Sequence, residues 1–222
     1  MEFKVIDLGL IDFIPALALQ KIKFKEVKEG RLTSCLILCQ HLPVITLGRQ
    51  AKRENILVSF DELKRRGINI YEVERGGDVT YHGPGQILVY PIFNLAFFKK
   101  DIHWFLRKLE ETVIDFFKDL EVKARCIPGL TGVWVEEKKI ASLGIAIKNW
   151  ISFYGLSINI KKDDLANFCL IRPCGLEVKM TALEEVLGKE IKMDDLKQNL
   201  IFHFRRHFLI YHLNKASVTS NY

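Results

Sequence analysis

The chain has 222 residues, 49% of them hydrophobic and 27% charged, with a formal net charge of +6. That length suits one large domain or at most two small ones, and the composition excludes a disordered chain and a coiled coil. Glycine and proline number 14 and 6, too few for a flexible linker dividing the chain, and the charge steers acidic partners without naming one.

Residues 3–8 read as a short strand. A helix follows, with Asp12 as its candidate cap and Pro15 tolerated in the first turn. The runs 33–41 and 44–47 are apolar and β-prone. The stretch 32–48 carries no Asp, Glu, Lys or Arg but is broken by Gln40, His41 and Pro43. The stretch 79–98 is equally uncharged but carries His82, Gly83, Pro84, Gly85, Gln86, Pro91 and Asn94, so neither reads as a membrane span. Charges at Glu2, Lys4 and Asp7 argue against a secretory signal.

Ser59 and Glu62 form a capping box, and Gly67 can close the short helix they open. Residues 68–73 read as a strand running into Arg75-Gly76-Gly77, and 87–95 as another. Residues 101–120 form the clearest helix, with Ile102, Phe105, Leu109, Val113, Phe116 and Leu120 at three- and four-residue spacing. A strand pair is expected at 132–135 and 140–147, and a further strand at 153–160. Thr181 and Glu184 look like a second capping box opening a short helix to Leu187. An amphipathic helix at 194–208 precedes a polar, frayed tail at 213–222. No internal repeat is visible, and 1–222 reads as one domain. Strands and helices intermix without a strict βαβ rhythm, which predicts an α/β (α+β) fold, a mixed β-sheet with helices packed on it.

Three features carry candidate chemistry. Residues 75–86, RGGDVTYHGPGQ, place four glycines among Arg75, Thr80, Tyr81, His82 and Gln86. Glycine lets backbone come close to a ligand, yet the spacing is neither Walker A nor a dinucleotide fingerprint. A long hairpin loop with turn glycines is the competing reading. Among the five cysteines no CxxC pair occurs, which points away from a disulfide framework or zinc and toward a reducing cytoplasm. Cys35, Cys39 and Cys126 read as packing, and Cys169 is ambiguous. Cys174 sits on a stiff loop between Pro173 and Gly175, where a nearby cation would make its thiol reactive. Lys139 opens an apolar strand. By alternation it shares a face with Ala141, Leu143, Ile145 and Ile147, as a snorkelling edge lysine or as the partner of a thiol.

Taken together, LGRQAKRENIL (47–57), RGGDVTYHGPGQILVYPIFNL (75–95), PGLTGVWV (128–135), KIASLGIAIKNWISFYGLSINI (139–160) and FCLIRPCGLEVKMTAL (168–183) resemble the lipoyl(octanoyl) transferases, the lipoate–protein ligase B family. The resemblance implies a catalytic fold shared with biotin protein ligases and lipoate–protein ligases. It implies an acyltransferase of lipoate biosynthesis that moves an octanoyl group from octanoyl-acyl carrier protein to a lysine of lipoyl domains, in 2-oxoacid dehydrogenases or the glycine cleavage H protein. The family's acyl-thioester cysteine falls on Cys174 and its partner lysine on Lys139. Its substrate-binding segments fall on Arg75, Gly76, Gly77, Asp78, Val79, Thr80, Tyr81 and His82, on Ser142, Leu143 and Gly144, and on Gly155, Leu156 and Ser157. The family often has histidine where this chain has Tyr154. A thioester donor is already activated, so no cofactor or metal is expected, nor nucleic acid or membrane, and a monomer is expected. Two other readings remain: an ATP-dependent lipoate or biotin ligase on the same fold, and a basic binding module centred on Arg205, Arg206 and His207.

Overall fold

The apolar runs around residues 87–95 and 153–160 become neighbours at the middle of a seven-stranded sheet. A computed structural model describes residues 2–173 and 178–219, with side chains described through Phe208. Along the chain run β1 (Lys4–Ile11), α1 (Phe13–Lys28), β2 (Ser34–His41), β3 (Val44–Leu47), α2 (Phe60–Arg65), β4 (Asn69–Glu72), β5 (Val79–His82) and β6 (Gln86–Phe93). There follow α3 (Ile102–Asp119), β7 (Ala124–Ile127), β8 (Leu130–Val135), β9 (Lys138–Lys148), β10 (Ile151–Asn159), α4 (Leu183–Leu187) and α5 (Met193–Thr219). A 3₁₀ segment, Lys162–Leu170, follows β10.

The large sheet has the order β1-β2-β6-β10-β9-β8-β7, and β4-β3-β5 form a small second sheet. β1 pairs with β2 and β3 with β4 in parallel; the other pairings are antiparallel. Strands covered on both faces read as continuous apolar runs, and every residue of β6 and β10 is buried. The expected mixed sheet with packed helices is therefore what forms.

Helices α3 and α5 cover one face of the large sheet. Phe105, Leu109, Val113, Phe116 and Phe117 of α3 and Leu200, Phe204 and Phe208 of α5 are buried in that main core, each contributing about 1.5–3 kcal/mol by leaving water. Helix α1 covers the other face, with Phe13 and Val27 against Ile37, Ala146 and Phe153. A third core lies between the small sheet and the 3₁₀ segment, around Ile45, Leu63, Tyr81 and Phe168.

Local signals succeed unevenly. Asp101 caps α3 by accepting from Trp104 N, and Ser59 caps α2 by accepting from Glu62 N. Gly67 closes α2 at φ +69°. Asp12 occupies the N-cap position of α1, but its side chain makes no capping bond. The expected box at Thr181 is displaced: Ala182 is the N-cap of α4, and the Thr181 hydroxyl donates to Glu185 Oε2 at 2.5 Å instead. The backbone continues as helix to Thr219, so the expected frayed tail at 213–222 is helical over 213–219. Among the described residues no helix is long and apolar enough to cross a membrane.

Candidate active site

The glycine-rich segment divides into two parts with different work. Its first part, from Arg75 to Asp78, is a strap beside the edge of β9 that β8 leaves free. Gly76 N donates to Ile145 O at 2.8 Å. Gly77 sits at φ +85°, and a Cβ on Gly48 beneath it would lie 2.3 Å from Gly77 O. The Arg75 guanidinium is buried and donates to Thr46 O at 2.7 Å, to Thr46 Oγ1 at 2.9 and 3.1 Å, and to Gly76 O at 3.1 Å. Asp78 accepts from Lys52 N and from Asn55 Nδ2. Asn55 O in turn accepts from Arg172 N at 2.8 Å, so the strap is tied to the chain entering Pro173.

The second part is a hairpin turn. Gly83 and Gly85 lie under the Asp164 side chain, where a Cβ would come within 2.4 and 2.8 Å of its carboxylate. Gly85 N donates to Asp164 Oδ2 at 2.5 Å, and Asn167 Nδ2 donates to the Tyr81 hydroxyl at 2.9 Å. Close packing under Asp164, not ligand approach, explains these two glycines.

Between strap and sheet lies a narrow cleft, part of it open to solvent. At one end is Lys139. Alternation places it on the face of Ala141, Leu143, Ile145 and Ile147, and the structure corrects that. Val133 pairs with Ala141 but Trp134 pairs with Lys139, so β9 carries one extra residue, Ile140, against β8. Such a bulge breaks the alternation. Ala141, Leu143, Ile145 and Ile147 join the main core, while Lys139 turns to the opposite face and borders the cleft with Ser142 and Gly144.

Lys139 is buried, 6% exposed. Its Nζ lies 5.4 Å from the centroid of the Trp134 ring, within cation–π range. Its stem lies flush on Gly132, where a Cβ would meet Lys139 Cε at 2.3 Å and Nζ at 3.1 Å. Glu110, fully buried on α3, accepts from Gly132 N at 2.9 Å and pairs with Arg107. The Lys139 backbone is gripped from beyond the 174–177 segment, with Lys139 N donating to Lys179 O at 2.8 Å and Thr181 N to Lys139 O at 3.0 Å.

The end away from Lys139 is formed by Val73, Tyr90 and Tyr154, and Phe13 also borders the cleft. His82 borders it nearer Lys139, because its partner Gln86 pairs with Asn159, which bonds Thr181 next to the Lys139 backbone. Gln86 donates its amide to Tyr81 O and Asn159 Oδ1, so its oxygen accepts from His82 Nδ1 at 2.9 Å. That fixes the tautomer: Nε2 is unprotonated, and among the described residues nothing donates to it. Burial, with His41 and Arg75 nearby, pushes the His82 pKa down to about 3. His41 is likewise held below its ordinary value by burial. It donates through Nδ1 to Ile11 O and accepts from the Tyr90 hydroxyl at 2.7 Å.

All the residues expected to bind substrate border this cleft except Gly76 and Tyr81. Gly76 serves through its backbone, and Tyr81 is fully buried on the far side against Phe168. Cys174 lies outside the described residues; Pro173 before it borders the cleft. Sequence reasoning missed Phe13, Thr46, Val73 and Tyr90. Only Tyr90 carried a signal, a polar tip inside an apolar run.

The family model of the lipoyl protein ligase A/B catalytic domain matches residues 12–205. The octanoyltransferase of Thermoanaerobacter pseudethanolicus is 41% identical over 97% of this chain and 93% of its own length. That of Caldicellulosiruptor saccharolyticus is 43% identical over 94% of this chain and 89% of its own. Among solved structures, lipoate-protein ligase A bound with ATP shares the fold at a TM-score of 0.74 and 16% identity, covering 93% of this chain and 85% of that one. Biotin protein ligase from Aquifex aeolicus in complex with biotin and ATP does so at 0.54 and 13%, covering 92% and 69%. Since the family model spans nearly the whole strap, cleft and sheet, and the sequence identity extends just as far, the chain belongs to the lipoyl protein ligase A/B catalytic-domain family.

Proposed function

We infer that the chain is an octanoyltransferase that works through a cysteine thioester. The Cys174 thiolate attacks the thioester carbonyl of octanoyl-acyl carrier protein, and the carrier leaves as a thiol after taking up a proton. The ε-amine of a lysine on a lipoyl domain then attacks the acyl-Cys174 thioester. An amide forms, the amine gives up a proton, and Cys174 is released. A thiolate suits both halves, being a good nucleophile and a good leaving group, but a free thiol is only a few per cent ionised near neutrality. Lys139 favours the thiolate in the first half and takes the proton of the incoming amine in the second.

The observation that carries this reading is the placement of the residues flanking Cys174. Pro173 borders the same cleft as Lys139, and Lys179, on the far side of the 174–177 segment, bonds the Lys139 backbone. Backbone N–H groups near Leu143–Gly144, or at Cys174–Gly175, are the candidates for holding the oxyanion. The acyl chain runs along the cleft floor past Ser142 and Gly155, beside the point where Arg75 and Gly76 of the strap rest on Gly144. The donor brings its own activation, so the reaction draws on no nucleotide. The acceptor is a lipoyl domain of a 2-oxoacid dehydrogenase or the glycine cleavage H protein, and the enzyme acts as a cytoplasmic monomer.

The test is incubation with octanoyl-acyl carrier protein without ATP, followed by peptide mass spectrometry. An octanoyl adduct on Cys174 is expected, absent from Cys174→Ser, with acylation slowed at least about 100-fold in Lys139→Ala. An adduct on Cys169, or none, would overturn the assignment. Lipoyl-adenylate formation that survives Cys174→Ala would mark an ATP-dependent ligase.

A further inference from the structure

We propose that Tyr154, held in a left-handed backbone conformation by Gln20, is the stop that sets acyl length in this cleft. The proposal rests on the acyl-transfer reading and adds a specificity-determining residue to it.

The backbone at Tyr154 has φ +56° in the middle of β10. A tyrosine there is strained, so something must hold it. Along β10, Leu156 and Ile158 point into the main core, while Ile151 and Phe153 point into the core under α1. Alternation would send Tyr154 with Leu156. The left-handed turn instead sends it to the α1 side, where it borders the cleft. Its amide, turned out of the ladder, donates to Gln20 Oε1 at 2.9 Å. Gln20 is fully buried on α1, and its Nε2 has no hydrogen-bond partner among the described residues. A buried amide left half unpaired is costly, and holding Tyr154 N is the one bond it makes.

The redirected side chain spans the cleft. Tyr154 starts from the sheet floor, and its hydroxyl accepts from Glu74 N at the root of the strap, at 3.4 Å. The ring is backed by Phe153, with centroids 5.1 Å apart. Floor and strap are thus joined across the end of the cleft that lies away from Lys139.

Register gives the length. Tyr154 pairs with Ile145, and Gly155 with Gly144. At ~3.3 Å per residue, Ile145 lies roughly 17 Å along β9 from Lys139 once the bulge is allowed for. The lysine stem and the phenol each take up part of that span. An extended eight-carbon chain is about 9 Å long, about three strand residues. Begun at the Lys139 amine, it fits along the cleft floor past Ser142 and Gly155, beside the Arg75 stem and Gly76 O that rest on Gly144, and ends against the Tyr154 ring.

The experiment compares single-turnover transfer of octanoyl and dodecanoyl groups from acyl carrier protein. The variants are Tyr154→Gly, Tyr154→Asn and Tyr154→Phe beside the parent. Glycine and asparagine tolerate the left-handed backbone, so they remove the ring without adding strain. The dodecanoyl-to-octanoyl ratio should rise at least about tenfold in Tyr154→Gly and Tyr154→Asn, the worth of burying two or more added methylenes. It should stay at the parent value in Tyr154→Phe, which keeps the ring. An unchanged ratio in a folded Tyr154→Gly overturns the proposal. A parent that transfers no acyl group defeats the transfer reading instead. The stop is then read by calorimetry with the free acids: dodecanoate binding gained only in Tyr154→Gly supports it, and equal binding in parent and variant overturns it.

Discussion

Both ends of the cleft are made where a strand departs from two-residue alternation. In β9 an inserted residue, Ile140, turns Lys139 onto the cleft face. In β10 a left-handed residue turns Tyr154 onto the same face. The supports differ. The Lys139 end is backed by an ion-paired carboxylate, Glu110 of α3, acting through Gly132 N. The Tyr154 end is backed by a neutral amide, Gln20 of α1. A charged support suits the end where protons and charge are proposed to move. The other end is set by shape, and a neutral amide holds that shape without adding a further charge to the buried Arg75 guanidinium already there.

The most damaging way to break this contrast is at Gly132. A methyl there would occupy space 2.3 Å from Lys139 Cε, on a backbone at φ +134°. The Lys139 amine would have to move by about an ångström, a displacement that costs on the order of 100-fold in rate. Gly132→Ala should therefore lose octanoyl transfer about 100-fold while the dodecanoyl-to-octanoyl ratio stays at the parent value. A variant that keeps parent kcat would show that Lys139 does not need its seat.

Next in size is Glu110. Glu110→Ala leaves Gly132 N buried without an acceptor, which costs about 2–3 kcal/mol. Glu110→Gln keeps an acceptor for Gly132 N and loses the pair with half-exposed Arg107 and the weak bond from Cys126 Sγ, together worth about 1 kcal/mol. Urea unfolding should rank them so. Equal losses in the two variants would mean that the charge, not the bond to Gly132, is what α3 supplies.

Much of the fold is legible in the sequence because burial leaves periodic traces. The stripe of Phe105, Leu109, Val113 and Phe116 marks α3, with Asp101 as a visible cap, and the mostly apolar runs mark β6 and β10 as strands, though their central place shows only in the structure. The site is less legible, for one physical reason. Alternation assigns faces only while a strand stays regular; the departure at Ile140 carries no glycine, asparagine or proline, and the trace at Tyr154 is the neighbouring Gly155, which marks special backbone without telling which residue turns. The strap shows the opposite limit. Its glycines announce special backbone, but the pattern cannot tell Gly77, which bends the strap, from Gly83 and Gly85, which lie under Asp164. Nor can it tell His82, which borders the cleft, from Tyr81 beside it, which faces a different core. The motif resemblance located Lys139; the bulge explains how it reaches the cleft.

The smallest expected effect concerns the cost of keeping His82, in the cleft wall, uncharged. His82 is buried neutral, its pKa pushed down to about 3 from an ordinary 6.5 by desolvation, with His41 and Arg75 adding to the shift. The unfolded chain takes up a proton near pH 6.5 that the folded chain refuses. Stability is therefore full above pH 6.5 and falls as pH drops toward 3, by up to about 1.4 kcal/mol per pH unit for one such group. His41, also lowered, adds a slope of the same sign. Urea unfolding between pH 6.5 and 5 should show this decline in the parent. In His82→Asn the slope should be shallower by about 1 kcal/mol per pH unit, the His41 share remaining. Parallel slopes would mean that His82 accepts its proton in the folded protein. The cleft wall beside Gln86 would then carry a positive charge in acid, and His82 could not be counted among the groups that hold its shape while charge is handled only at Lys139.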